Sequence, residues 1–366
     1  MATLVSAEQT IMMSQKWVSG RVRWDIILFV LVCVAVMVFG TVAHAGSESV
    51  ALRGGGATFP APLYQSWIVD FTKKHPDSKI SYQATGSGEG VRGFLAEELD
   101  FAGSDAALSD EQIANVKRGA QLVPMTAGII VLAYHVQGLS GPLKLPRNVY
   151  EDIFAGKITR WNDPRLQTAN PDLKLPNRNI TIIARQDSSG TTYALTNHLS
   201  AVSQEWRDRG PGVGKVVDWP GNSMLFHGNE GVASRIKISE GSIGYIEYGF
   251  AKRLGLPMAW LENKAGNFVE PTDHSGEETL AHNVQHMPAN LRLMIPDPDG
   301  EQAYPIVTLS WLLLYQHYSN PAMAQAIKEF ATFGLTDGQR SSRELGYVPL
   351  PAEIISRSLK ALENIQ

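Results

Sequence analysis

Residues 185–199, RQDSSGTTYALTNHL, bring together side chains that could bind an anion. Arg185 offers a planar fork of N–H donors that suits an oxyanion, and Asp187 could hold that fork in place. Ser, Thr and Gly ahead of an apolar-periodic run are typical of a helix start, whose unpaired N–H groups attract anions. The stretch therefore predicts an anion site. A plain helix cap, with a surface ion pair between Arg185 and Asp187, explains the same residues.

Three further loops have the same character of small residues and donors. They are residues 54–59 (GGGATF), 86–90 (GSGEG) and 103–105 (GSD). Each stands at the end of a predicted strand or the start of a predicted helix. Because ligands of open α/β sheets bind beyond the carboxyl ends of the strands, the four loops together favour one shared anion site. Each loop alone is explained better as a helix cap.

The elements that must position these loops alternate between strand and helix. Leu63, Trp67 and Phe71 have helical spacing, and residues 79–84 alternate as a strand. Residues 85–90 read as a turn before a short helix at 91–99, and residues 100–105 read as a brief strand. This βαβ order predicts a parallel sheet.

The rest of the chain continues the alternation. Buried strands are predicted at 127–136, 179–184 and 304–315, a strand followed by a helix at 241–255, and helices within 148–161, at 322–335 and at 351–362. Residues 262–303 are polar and contain proline, so they are expected to be irregular.

The N-terminal region has the pattern of a secretory signal peptide. An apolar run at residues 26–42 follows Lys16, Arg21 and Arg23 and precedes the A-H-A sequence at 43–45. We therefore predict a signal peptide over residues 1–45, with an uncleaved membrane anchor as the alternative. The only cysteine of the chain lies inside this segment, so the exported protein would contain no disulfide.

Length and charge limit the classes of function. The chain has 366 residues, enough for two domains. Its formal charge is −4, and it would be −5 without residues 1–45, which carry a net +1. The chain has no basic run, which argues against nucleic acid as a partner. An anion would therefore have to be bound by local geometry against an unfavourable overall charge.

Two patterns could indicate an enzyme instead. The sequence TGSGEG approaches the G-x-S-x-G nucleophile motif, but Thr85 replaces its first glycine. His282 and His286 stand four positions apart, as metal ligands on one helix face do, but no glutamate completes an H-E-x-x-H motif. Solvated surface histidines explain this pair better than a metal site does.

Six motifs, taken in chain order, resemble one family. GGGATFPAPLYQSW, YQATGSGEGV, DFAGSDAALSD, RQDSSGTTYALTNHL, GSIGYIEYGFAK and LGYVPLP resemble the PstS-type phosphate-binding proteins that serve phosphate ABC importers. The resemblance implies an α/β, type II periplasmic-binding-protein fold with two lobes. Each lobe is a mixed sheet flanked by helices, and two crossover hinge strands join them. We expect residues 48–128 plus 306–366 in lobe I and residues 129–305 in lobe II.

The resemblance also implies which residues hold the anion. They are, in chain order, Thr58, Phe59, Ser87, Asp105, Arg185, Asp187, Ser189, Gly190 and Thr191, with Asp187 orienting Arg185. Ser188 departs from the family pattern, in which a glycine is common at this position, and the loop backbone could differ there.

The function implied by the resemblance is that of a periplasmic receptor without catalytic activity. It would bind inorganic phosphate, deliver it to the membrane permease subunits of an ABC transporter, act as a monomer and need no cofactor. The alternatives are a receptor of the same fold for sulfate or molybdate, an adhesion or matrix protein, and a secreted phosphatase-like enzyme. Asp105 bears on the choice of anion, because an ionised carboxylate can only accept hydrogen bonds and sulfate brings no proton.

Overall fold

The computed structural model describes residues 49–366, and the signal peptide predicted for residues 1–45 lies outside this part of the chain. Its strands belong to two sheets. The strands are, in chain order, β1 (Val50–Gly56), β2 (Ser78–Ala84), β3 (Phe101–Ser104), β4 (Ala120–His135), β5 (Lys144–Leu145), β6 (Thr181–Arg185), β7 (Ser223–Phe226), β8 (Ser242–Glu247), β9 (Trp260–Glu262), β10 (Phe268–Val269) and β11 (Val307–Tyr315).

Helices flank the sheets and alternate with the strands along the chain. They are α1 (Ala61–Lys74), α2 (Ser87–Leu95), α3 (Asp110–Ala114), α4 (Arg147–Phe154), α5 (Pro164–Ala169), α6 (Gly190–Val202), α7 (Gln204–Arg209), α8 (Gly228–Ile238), α9 (Tyr248–Leu254), α10 (Asp273–Asn283), α11 (Pro321–Leu335), α12 (Ser342–Leu345) and α13 (Ala352–Leu362). None of these helices is long and apolar enough to cross a membrane.

The large sheet is mixed, with the strand order β2-β1-β3-β11-β4-β8-β6-β7. Strand β1 is parallel to β2 and to β3, which confirms the parallel pairing predicted from the βαβ pattern. Strand β11 is antiparallel to both of its neighbours, and β4 is antiparallel to β8. Strands β10, β9 and β5 form a separate small sheet.

Strand β4 connects the two halves of the large sheet. It has 16 residues, pairs with β11 as far as Ile129 and pairs with β8 from Ile130 onward. The backbone N–H of Ile130 still donates to the carbonyl oxygen of Ile306, so two chain segments cross side by side at this point. The lobe boundaries at residues 128/129 and 305/306 stay a prediction.

Apolar side chains determine where the elements pack. Helix α1 buries Leu63, Trp67 and Phe71, as their spacing predicts. Every residue of β11 is buried, which is typical of a strand covered on both faces. The apolar residues of both halves join one core, which holds the ends of β1, β3 and β6 in fixed positions.

Two segments differ from the sequence prediction. Helix α2 begins at Ser87, so most of the predicted turn at residues 85–90 is helical. Helix α10 occupies Asp273–Asn283 inside the segment that was expected to be irregular. Its buried face is made of small and polar residues such as Ser275 and Thr279, which give no apolar periodicity.

Candidate anion-binding site

The predicted site residues lie at the carboxyl ends of strands. Strand β1 ends two residues before Thr58, β3 ends directly before Asp105, and β6 ends at Arg185. Gly56 has φ = +129°, and a Cβ atom there would lie 2.2 Å from the carbonyl oxygen of Gly103. The glycine-rich first loop is therefore required for β1 and β3 to pair so closely at this end.

Asp105 is a buried carboxyl group held by hydroxyl groups. Ser310 Oγ donates to its Oδ1 at 2.8 Å, and Ser87 Oγ donates to its Oδ2 at 3.3 Å. Burial raises the pKa of Asp105 to about 7, against the hydrogen bond from Ser310 and the positive charge of Arg185. Near neutral pH, this carboxyl group can therefore hold a proton or accept one from a ligand.

Arg185 and Asp187 form a buried ion pair, with side chains 1% and 7% exposed. The guanidinium donates from Nε to Asp187 Oδ1 at 2.8 Å and from Nη2 to Oδ2. Burial opposes the ionisation of Asp187, but Arg185 and the N–H of Gly228 outweigh it and keep the pKa of Asp187 below its usual value. The surface ion pair that the sequence left open is therefore wrong.

The donors of Arg185 can be counted. A guanidinium has five N–H groups. Two of them go to Asp187, and Nη1 donates a third to Thr191 Oγ1 at 3.3 Å. Two N–H groups remain for a ligand. Asp187 thus fixes the orientation of the guanidinium group and leaves two of its N–H donors available for an anion.

Helix α6 brings its N-terminus to Asp105. Ser189 caps the helix by accepting from the N–H of Thr192 at 3.1 Å, so the cap predicted from the sequence is present. A Cβ atom on Gly190 would lie 2.5 Å from Ser87 Oγ and 2.6 Å from Asp105 Cβ. Glycine is therefore needed for the positive end of α6 to approach the carboxyl group so closely.

The first loop is held from two sides. Phe59 is fully buried, its ring packs edge-on against Tyr347 with centroids 6.0 Å apart, and Tyr347 Oη donates to its carbonyl oxygen at 2.7 Å. Thr58 Oγ1 accepts from the backbone N–H of Asn229 at 3.2 Å and from its Nδ2 at 3.0 Å. The LGYVPLP motif, which contains Tyr347, thus positions the first loop.

Ser188, the departure from the family pattern, lies against α2. Its carbonyl oxygen accepts from the N–H of Gly88 at 2.8 Å, and a Cβ atom on Gly88 would lie 2.0 Å from Ser188 Oγ. The departure therefore falls at a contact between the fourth loop and the second.

Contacts join the nine predicted residues in one region, and their role in binding stays a prediction. Three further residues, Lys215, Asn229 and Ser310, were not identified from the sequence. Ser310 is a polar residue inside the apolar strand β11, and this break in the apolar pattern could have identified it from the sequence. Asn229 stands in the first turn of α8, where polar residues usually read as caps. Lys215 lies in a loop without a distinctive pattern.

The charges in this region nearly cancel. Arg185 is matched by Asp187, which leaves Asp105 and Lys215. Burial lowers the pKa of Lys215, although the negative charge of Asp105 opposes this shift. The carbonyl oxygen of Lys215 accepts a hydrogen bond from the N–H of Ser189 at 2.9 Å. Attraction for an anion must therefore come mainly from oriented N–H and O–H donors, as the overall charge of the chain suggested.

The two residues of the histidine pair lie in different elements. Helix α10 ends at Asn283, so His282 is its next-to-last residue and His286 lies in the short 3-10 helix that follows. Within residues 49–366, no group of three or more His, Cys, Asp or Glu side chains is arranged to hold a metal ion.

A cavity of about 380 Å³ opens beside the predicted site. Its lining includes Thr58, His227, Asn229 and Phe250. Solvent therefore reaches the edge of the region in which Thr58 and Asn229 meet.

Comparison with known sequences identifies the family. Residues 41–337 match the PBP superfamily domain. The chain is 36% identical over 321 residues to the phosphate-binding protein PstS of Haemophilus influenzae, an alignment that covers 88% of this chain and 94% of that protein. It is 36% identical over 342 residues to the phosphate-binding protein PstS of Methanocaldococcus jannaschii, with 87% of each chain covered.

Solved structures share the fold at lower identity. A phosphate-binding protein from Stenotrophomonas maltophilia has a TM-score of 0.69 at 20% identity, covering 85% of this chain and 93% of that one. The periplasmic phosphate-binding protein PfluDING, solved with bound phosphate, has a TM-score of 0.68 at 19% identity, covering 84% and 92%. These likenesses confirm the predicted periplasmic-binding-protein fold. Together with the sequence relatives, they lead to the conclusion that this chain belongs to the PstS-type phosphate-binding protein family of the PBP superfamily.

Proposed function

We propose that this chain is a receptor that binds inorganic phosphate and delivers it to the permease subunits of a phosphate ABC transporter. One observation carries the proposal: a buried carboxyl group, Asp105, lies against the donor-rich N-terminus of α6. Phosphate near neutral pH keeps at least one proton, so it can donate to Asp105 while its other oxygens accept from surrounding donors. The names of the curated relatives support the same function.

The donors proposed for phosphate are the sequence-predicted ones. The hydroxyl groups of Thr58, Ser189 and Thr191, the backbone N–H groups of Phe59 and Gly190, and two N–H groups of Arg185 would surround the anion. The hydroxyl group of Ser87 would join them by turning its hydrogen from Asp105 to the ligand. Asp105 would accept the proton of phosphate, and Asp187 would orient Arg185 from behind.

Binding would draw two lobes together. Thr58, Ser87 and Asp105 belong to the proposed lobe I, residues 48–128 plus 306–366, and Arg185 to Thr191 belong to the proposed lobe II, residues 129–305. A ligand that needs donors from both lobes favours their closure about the segments that cross near Ile130 and Ile306.

A receptor for sulfate on the same fold is the main alternative. Sulfate carries no proton at neutral pH, so its oxygens and an ionised Asp105 would both be acceptors, desolvated and facing each other. Such a mismatch of buried polar groups disfavours sulfate in proportion to the ionised fraction of Asp105, so the discrimination should grow as the pH rises above about 7. The proposal therefore specifies phosphate and rejects sulfate.

We propose that the protein is not an enzyme. Its relatives are named for binding, and residues 49–366 hold no cluster arranged for a metal ion. A phosphatase would release phosphate from an ester. Incubation of the protein with a phosphate monoester tests this alternative, because release of inorganic phosphate would contradict the proposal.

The proposed location is the periplasm, with residues 1–45 removed as a signal peptide and the mature chain acting as a monomer. The mass of the exported protein tests the cleavage, because an uncleaved anchor would keep the mass of the full 366-residue chain.

Calorimetry on ligand-stripped protein tests the central proposal. Native mass spectrometry first establishes that no anion remains bound. Titration with phosphate should then show one site per chain, and titration with sulfate under the same conditions should show far weaker binding. A protein that binds sulfate as tightly as phosphate, or binds neither, contradicts the proposed function.

A further inference from the structure

Asn229 lies between the hydroxyl groups of Thr58 and Thr191, two predicted site residues that follow different strands. Its side chain is fully buried at the start of α8. Asn229 Nδ2 donates to Thr58 Oγ1 at 3.0 Å and to Thr191 Oγ1 at 3.3 Å. One amide group thus connects Thr58, after β1, with Thr191, after β6.

The orientation of this amide is fixed by the backbone. The N–H of Glu247, at the end of β8, donates to Asn229 Oδ1 at 3.0 Å. A backbone N–H can only donate, so the oxygen of the amide must face Glu247. The NH₂ group must therefore face the two threonine hydroxyls.

Both hydroxyl oxygens already accept two hydrogen bonds. Thr58 Oγ1 accepts from the backbone N–H and from Nδ2 of Asn229. Thr191 Oγ1 accepts from Asn229 Nδ2 and from Arg185 Nη1, each at 3.3 Å. A hydroxyl group has two acceptor lone pairs and one donor hydrogen. With the lone pairs occupied, each hydroxyl can only offer its hydrogen to a further group.

We propose that Asn229 is a positioning residue that makes Thr58 and Thr191 obligatory donors toward the bound anion. The proposal rests on the phosphate site proposed above. It adds a residue that does not itself need to touch the ligand. A hydroxyl that can only donate suits a ligand oxygen that can only accept, and it disfavours neutral ligands that bring their own donors.

A cycle of variants separates this role from a purely structural one. Asn229→Leu removes the amide while keeping a side chain that branches at Cγ, and it should weaken phosphate binding about 10- to 100-fold, since two buried hydroxyls lose their orienting donor. The same change is then made in a Thr58→Val, Thr191→Val background, where no hydroxyls remain to orient. There it should change the phosphate dissociation constant by less than about threefold, because coupled residues are not additive.

A matched control is available in the same chain. Asn263 is equally buried, and its Nδ2 donates to the carbonyl oxygens of Gly300, Glu301 and Ala303. Asn263→Leu should lower the thermal midpoint of unfolding while leaving the phosphate dissociation constant unchanged. If Asn229→Leu does not fold, Asn229→Ala is measured in the same cycle.

The outcomes distinguish the two proposals. If the wild-type protein does not bind phosphate, the proposed function is wrong. If the wild-type protein binds phosphate but Asn229→Leu and Asn229→Ala bind it equally well, the role proposed for Asn229 is wrong. An equal loss with and without the two hydroxyls also overturns that role, because Asn229 would then act independently of them.

Discussion

The protonation state of Asp105 should control the binding of sulfate. Sulfate keeps the same charge between pH 5 and 9, so any pH dependence of its binding reports on the protein. Burial raises the pKa of Asp105 to about 7. Below this pH the carboxyl group is protonated and can donate to sulfate, and above it the carboxylate repels the anion. Sulfate affinity should therefore be level below pH 7 and fall as the pH rises.

The slope follows from the titration. If only the protonated form of Asp105 accepts sulfate, affinity falls about tenfold per pH unit above the pKa, or about 100-fold at pH 9. Asp105→Asn has an amide that donates at every pH, so its sulfate affinity should be nearly flat. At pH 9 the variant should bind sulfate about 100-fold more tightly than the wild-type protein.

Calorimetric titration of sulfate at five pH values provides the assay. Asp110→Asn serves as a control, because it removes one negative charge from an exposed side chain in the same part of the chain. The reasoning is refuted if wild-type sulfate affinity does not change with pH, or if Asp105→Asn keeps the wild-type slope.

Three further predictions follow from the same structure. Arg185→Ala should weaken phosphate binding by about 2–5 kcal/mol, because Asp187 would remain buried without its partner. A phosphate dissociation constant within a few-fold of the wild-type value, measured by calorimetry, would exclude Arg185 from the site. Phosphate should reduce the radius of gyration measured by small-angle scattering, and an unchanged profile in ligand-stripped protein contradicts closure. Burial raises the pKa of Glu247 to about 8, against the hydrogen bond from the Gly249 N–H. The native state therefore holds the Glu247 proton where the unfolded chain has lost it, so the stability that this proton contributes falls as the pH rises from about 4.5 and is fully lost above about 8. Urea midpoints of Glu247→Gln should vary less between pH 5 and 9 than those of wild type, and equal variation would contradict this assignment.

Much of the framework could be predicted because it depends on local patterns. The apolar spacing of Leu63, Trp67 and Phe71 defines the buried face of α1. Ser189 caps α6 through the N–H of Thr192, three positions along the chain. Such signals lie within a few residues of one another, so a single sequence contains them.

The remaining parts depend on contacts between distant positions. Thr58 and Asn229 are 171 positions apart, and Asp105 and Ser310 are 205 positions apart. No local pattern indicates that these side chains meet. The glycines of helix α2 favour a turn in the sequence. In the structure, Gly90 allows close packing against Gly56, because a Cβ atom on Gly90 would lie 2.6 Å from the Cα of Gly56. Tertiary packing there outweighs the low helix propensity of glycine.

The place of β11 in the large sheet has a consequence for the order of folding. Strand β11 lies between β3 and β4, which therefore do not pair with each other. Trp311 pairs with Ser104 on one side and with Pro124 on the other. The first part of the sheet thus cannot close until about 310 residues have been synthesised, and contacts of such long range form slowly. Such late closure is compatible with the export proposed above, because an exported chain must cross the membrane before these strands pair. Pulsed hydrogen exchange should then show that those amides of β3 and β4 which bond to β11 become protected together with the amides of β11, and earlier protection of these particular amides would contradict this order.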